Sequence, residues 1–146
     1  MAKHISNMDE LAKALQPVML GMVDELAERV YETLNYFLQE YYNSYDPKSY
    51  RRQYDFLRSV VKVKPKVTGN KVVASVYIDT DYMDNYYNAT GEQIASWANQ
   101  GLHGGLDTGN NTPHVWNDTI KTTVENGELL KLAMDYLKKK GFSVRN

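Results

Sequence analysis

The sequence has no cysteine, which removes a disulfide framework, a thiol nucleophile and a thiolate zinc site together. Only three histidines remain as strong transition-metal ligands. No stretch approaches the eighteen or more consecutive apolar residues of a membrane span, and "MAKHISNMDE" lacks the apolar run of a secretory signal. These absences predict a soluble chain made in the cytoplasm, with no membrane partner. Also missing are a nucleophile elbow, a phosphate-cradling loop and a helical metal motif. "HGG" at 103–105 could suggest an oxyanion loop, but no Gly-x-Ser-x-Gly accompanies it. The sequence therefore predicts a non-enzyme without a cofactor.

What is plentiful is tyrosine, with twelve in 146 residues, and charge sorted by sign. A chain of this length is the usual size of one domain, so residues 1–146 are predicted to fold as a unit. The net charge of -1 hides four blocks. Residues 1–47 are acidic, 48–71 strongly basic, 72–120 carry no basic side chain, and 121–146 are again basic. Such alternation is neutralised inside one fold or between copies in an oligomer.

Asn7 and Glu10 are spaced as a capping box, and Leu11, Leu15, Val18, Met22, Leu26, Val30, Leu34, Phe37 and Tyr41 follow at helical spacing. Residues 1–45 thus read as one long amphipathic helix, which Pro17 kinks or begins. It is too long to bury its whole length in so small a domain. Residues 46–80 read as a corner followed by a β-hairpin turning at Gly69-Asn70. Alternation puts Val61, Val63, Pro65 and Val67 on one face and Lys62, Lys64 and Lys66 on the other, solvated face. Val72, Ala74, Val76 and Ile78 line one side of the second strand, and Pro65 marks an edge or a bulge. Asp46-Pro47 can start a helical turn, but a turn leading into the strand is the expectation here.

Residues 81–111 are the least regular, with a short helix capped by Thr90 and Gln93 and stopped at Gly101. The glycine-rich "GLHGGLDTGNNTP" that follows is expected to be mobile or fixed by a partner. Residues 112–146 read as a helix and tail, with Thr112 as the cap and Pro113 in the first turn. A break falls at Asn126-Gly127, "KKK" suits the last turn, and "FSVRN" is a candidate final strand.

Two clusters invite a metal reading. Asp79, Asp81 and Asp84 crowd one loop, but Met83, Asp84 and Thr90 fall where an EF-hand needs a ligand, a glycine and a bidentate glutamate. His103 and His114 flank a glycine loop that offers no rigid frame for zinc. The acidic residues read instead as a solvated or interface loop. The densest aromatic group is Tyr31, Tyr36, Tyr41, Tyr42, Tyr45, Tyr50 and Tyr54, beside Arg51, Arg52 and Arg58. Bases could stack there; tyrosine and arginine are equally at home in protein interfaces, which is the favoured reading.

The order of segments resembles a known family. A long helix leads to "YDPKSYRRQYDFLRSVVKV", then a hairpin, "NQGLHGG", "TPHVWNDTI" opening a helix, and "LKKKGF". This resembles the head-to-tail joining proteins of tailed bacteriophages, also called tail-completion or neck proteins. Tyr50, Arg52, Leu57 and Ser59 take the family's places at the start of the first strand, with Gln53 and Tyr54 where threonine and glycine are frequent. Thr112, Pro113 and His114 stand for its Thr-Pro-Phe.

The resemblance implies an α+β fold, with the long N-terminal helix and the C-terminal helix packed on a small antiparallel sheet. It implies a homo-oligomeric ring in the virion neck, assembled in the host cytoplasm, around the DNA exit channel. Partners would be portal or adaptor proteins, tail terminator or tail tube proteins, and passing DNA. Contact residues would be Tyr45, Tyr50, Arg51, Arg52, Arg58, Lys62, Lys64, Asp79, Asp81, Asp84, Leu102, His103 and Leu106, with 101–111 ordering on docking. The alternative is a small nucleic-acid-binding module using segment 48–71.

Overall fold

The computed structural model describes residues 5–45, 54–82, 89–109 and 111–145. It is an α+β fold with one long spine helix. Tyr50, Arg51, Arg52, Asp84 and the Asp46-Pro47 helix start lie outside the described residues.

Helix α1 spans Met8–Asn43 and passes through Pro17. At 1.5 Å per residue its 36 residues reach about 54 Å. Asn7 caps it, its side chain accepting from the Glu10 N–H at 2.9 Å. The expected reciprocal bond is displaced by one residue. Glu10 accepts instead from the Ser6 N–H at 2.8 Å and the Ser6 hydroxyl at 3.0 Å. These two bonds, the backbone one first, hold the Glu10 carboxyl below its ordinary pKa.

Strands β1, Val60–Thr68, and β2, Lys71–Ile78, form a two-stranded antiparallel hairpin. Gly69 turns it with a φ of 62°, in the region that favours glycine. Val60 faces Ile78, Lys62 faces Val76 and Val63 faces Ser75, but the next matched pair is Lys66 and Val73. Two residues of β1, Lys64 and Pro65, therefore oppose one of β2, a bulge where proline cannot donate to the ladder.

The bulge corrects the expected faces of β1. Directly opposed residues share a side, and the less exposed side of β2 is Val72, Ala74, Val76 and Ile78, as alternation predicts. Val60 and Lys62 join that inner side before the bulge, and Val67 joins it afterwards. Val61 and Val63 point outward with Tyr77, Ser75, Val73 and Lys66. Parity counted straight through Pro65 misses this phase shift.

A short 3-10 turn, Thr80–Tyr82, follows the hairpin. Helix α2, Gly91–Asn99, carries both bonds of the Thr90/Gln93 capping box and ends before Gly101, whose φ is 74°. Helix α3, Val115–Ile120, runs into a π-turn at Lys121–Glu125, closed by the Asn126 N–H on the Lys121 carbonyl. Gly127, at a φ of 79°, then starts α4, Glu128–Lys139. The C-terminal helix is thus two helices joined by a wide turn, and residues 142–145 form no strand.

The cap of α3 also differs from the expected Thr112. The helix begins two residues later, after His114, whose N–H donates to Asp118 at 2.9 Å. The third N–H of the helix, on Asn117, donates to the Asn99 side chain at 2.8 Å. Asn99, at the end of α2, supplies from another helix the acceptor that an N-cap residue normally provides.

The core lies against the C-terminal half of α1, where Leu34, Leu38 and Tyr41 meet Phe56, Val60, Ala98 and Val115. The fully buried Thr119 and Thr123 send their hydroxyls to the Val115 and Thr119 carbonyls at 2.7 Å, which makes polar groups tolerable there. Helix α4 runs antiparallel along the other half of α1. Glu128 pairs with Arg29, and eight residues on, Tyr136 lies so close to Gly21 that a Cβ there would meet its hydroxyl. No residue of α4 is fully buried.

Candidate functional site

The corner between α1 and β1 is built from rings. His103 stacks on Tyr41 with centroids 4.2 Å apart and planes 13° from parallel, and Tyr45 tilts against it at 4.8 Å. The Ser44 hydroxyl donates to the Tyr41 carbonyl at 2.7 Å and shares a hydrogen bond with His103 Nε2 at 3.0 Å. The Tyr41 hydroxyl donates to the Leu102 carbonyl at 2.6 Å. Tyr42 stacks on Tyr54 at 5.5 Å and accepts from the Leu57 N–H, and Phe56 meets Tyr41 edge-on.

This cluster fixes the glycine-rich segment from inside the chain. His103 and Leu106 exchange both backbone bonds across Gly104 and Gly105, each with positive φ, and the Leu102 N–H donates to the Trp97 carbonyl. A Cβ at Gly105 would lie in ordinary contact with the Trp97 ring, so it is the φ of 81° that favours glycine there. The described part of 101–111, which the sequence led us to expect to be mobile or fixed by a partner, thus makes contacts with α1 and α2. Residues 104–107, Gly109 and Asn111 are exposed, Leu106 at 71%, with Leu102 half-buried.

Lys62 is likewise engaged internally. Its ammonium lies 2.8 Å from both Asp24 and Glu28, one helical turn apart on α1. Hydrogen bonds to Asp24 and then Glu28 raise its pKa above the ordinary lysine value. This is how a lysine occupies the inner face of the hairpin, and it corrects the expectation of a solvated Lys62. Lys64 and Arg58 are exposed, Arg58 in the turn at 55–58. Asp79 is half-buried, its N–H on the Ser59 carbonyl and its carboxylate accepting from the Asp81 N–H at 3.1 Å. Among the described residues no three His, Asp or Glu side chains converge as metal ligands.

Two surfaces escaped sequence reasoning. One is the outer face of the hairpin, where Val63, Val73 and Tyr77 are 38%, 42% and 45% exposed. The signal was present in the odd positions of β2, but only the bulge brings Val61 and Val63 beside them. The other is an open groove of about 320 Å³ between α1 and the π-turn, lined by Arg29, Glu32, Thr33, Tyr36, Phe37, Thr122 and Glu128. Tyr36, 59% exposed, stands at its edge. No sequence pattern announces a π-turn, so the groove was invisible beforehand.

The chain is therefore an α+β protein whose distinctive features are surfaces on a spine helix. It matches the YomN family model over residues 7–139 and belongs to that family, which is derived from Bacillus phage and points to a phage protein. No curated protein and no solved structure matches it.

Proposed function

We propose that this protein is a non-enzymatic structural component of a tailed-phage virion, forming a ring in the neck. There it joins head and portal to tail and surrounds the DNA exit channel. The observation that carries the reading is membership in a phage-derived family over nearly the whole chain. The segment order that resembles neck proteins supports it. So does the geometry of a spine helix about 54 Å long with apolar and charged surfaces directed outward.

The ring reading is favoured over the nucleic-acid module by the corner itself. Tyr41, Tyr42 and Tyr54 spend ring faces on one another, on Phe56 and on His103, and a base must compete with those contacts to stack. Gold labelling of the protein in purified particles tests the proposal: label is expected at the junction of head and tail. Particles that join and package DNA without this protein in the neck would overturn it. Binding of the isolated protein to single-stranded DNA that weakens steeply with added salt would favour the alternative.

A further inference from the structure

We propose that the outer face of the β1–β2 hairpin of one copy seats, head to tail, in the groove between α1 and the π-turn of a second copy. This rests on the ring reading and names its contact.

Among the described residues the hairpin is covered on one side only, by α1. Val61, Val63, Val73 and Tyr77 share the opposite side, and two strands alone are marginal in water. Residues 60–78 contain four lysines and no acidic side chain. Lys62 is matched by Asp24 and Glu28, whereas Lys64, Lys66 and Lys71 are exposed and join no ion pair among the described residues.

Charge decides what covers this face. Packing two hairpins face to face would set lysines against lysines, which disfavours a two-fold contact. Helix α1 offers the complement. Glu25 and Glu32 are exposed, in no ion pair among the described residues, and seven residues apart, so they lie on one side of the helix two turns from each other. Glu32 lines the groove beside Tyr36 and Phe37. Valines and a tyrosine meet two aromatic rings while lysines meet glutamates. The donor and acceptor surfaces differ, so the contact is heterologous, and repeating it closes a ring or extends a filament.

Because the chain has no cysteine, introduced cysteines report this contact alone. The double variant Val73→Cys/Tyr36→Cys in the full chain, oxidised at high protein concentration, is expected to give a ladder of trimers and larger species. Either single variant is expected to stay without one. Adding Glu25→Lys/Glu32→Lys should abolish the ladder, and adding Lys64→Glu/Lys66→Glu/Lys71→Glu to that should restore it. Circular dichroism confirms that each variant is folded.

No ladder from the folded double variant, dimers from Val73→Cys alone, or no rescue by the reversed charges would each overturn the proposal. The neck reading is separated by the gold label. A missing ladder with label in the neck removes this contact and leaves the neck role. A rescued ladder with no label in the neck does the reverse.

Discussion

Tyr54 stands where the resembling family often has glycine, and its φ of 65° is the left-handed value that glycine accepts most easily. A side chain there costs about 1–2 kcal/mol, offset by the stack on Tyr42, which is worth about 0.5–1.5 kcal/mol. Tyr54→Gly should therefore leave stability nearly unchanged, while Tyr54→Ala keeps the strain and loses the ring. Urea unfolding should rank alanine about 1 kcal/mol below glycine; equal values would show that the backbone there is unstrained. Lys62 makes a prediction in pH. Its pKa is raised by Asp24 and Glu28, so its contribution is fully present below the unfolded lysine value of about 10.4. The contribution is lost as pH rises through the higher folded value. Thermal melts of Lys62→Met should lack this alkaline component and be less sensitive to salt, since the carboxylates are half exposed.

Helix α3 shows how a helix takes a cap that its own sequence does not hold. Asn99→Ala removes the acceptor for the Asn117 N–H and should cost about 1 kcal/mol in chemical denaturation. Thr112→Ala should be neutral or slightly stabilising, because the buried Thr112 hydroxyl has no partner among the described residues. The reverse ranking would restore Thr112 as the cap. Periodicity made α1, the hairpin and α2 legible, including the Thr90/Gln93 box and the irregularity at Pro65, because these are local properties of the chain. The inner position of Lys62 was not legible, since it depends on how a bulge shifts phase and on acids more than thirty residues away. Nor was the fixing of the glycine segment, where Tyr41 and Ser44 meet a His103 that lies 59 residues beyond Ser44 in the chain. Of the candidate contact surfaces, the lysines of the hairpin and the exposed Leu106 could be read beforehand, but not the apolar outer face that the bulge assembles. The groove could not, because the π-turn that lines it has no sequence signature.

Stability should be unevenly distributed along the spine. Leu34, Leu38 and Tyr41 are buried in the core beside β1, α2 and α3, whereas the first turns of α1 are largely exposed and α4 buries no residue fully. Truncating Leu38 should cost about 2–5 kcal/mol, since it leaves a cavity among well-packed neighbours. Truncating Leu130, 67% exposed, should stay within about 0.5 kcal/mol. Hydrogen exchange should separate the same regions within one continuous helix. Amides of 34–41 should exchange only through global unfolding and share one free energy, while those of 8–17 exchange through local opening at a small fraction of it. Uniform protection along Met8–Asn43 would contradict this gradient. The groove carrying Glu32 and Tyr36 lies along the core half of the spine, so a docking copy meets a surface that is already rigid and spends little on ordering it. Self-association should therefore leave the protection of 34–41 unchanged, and the added protection should fall on the hairpin, which the described residues of a single copy cover on one side only.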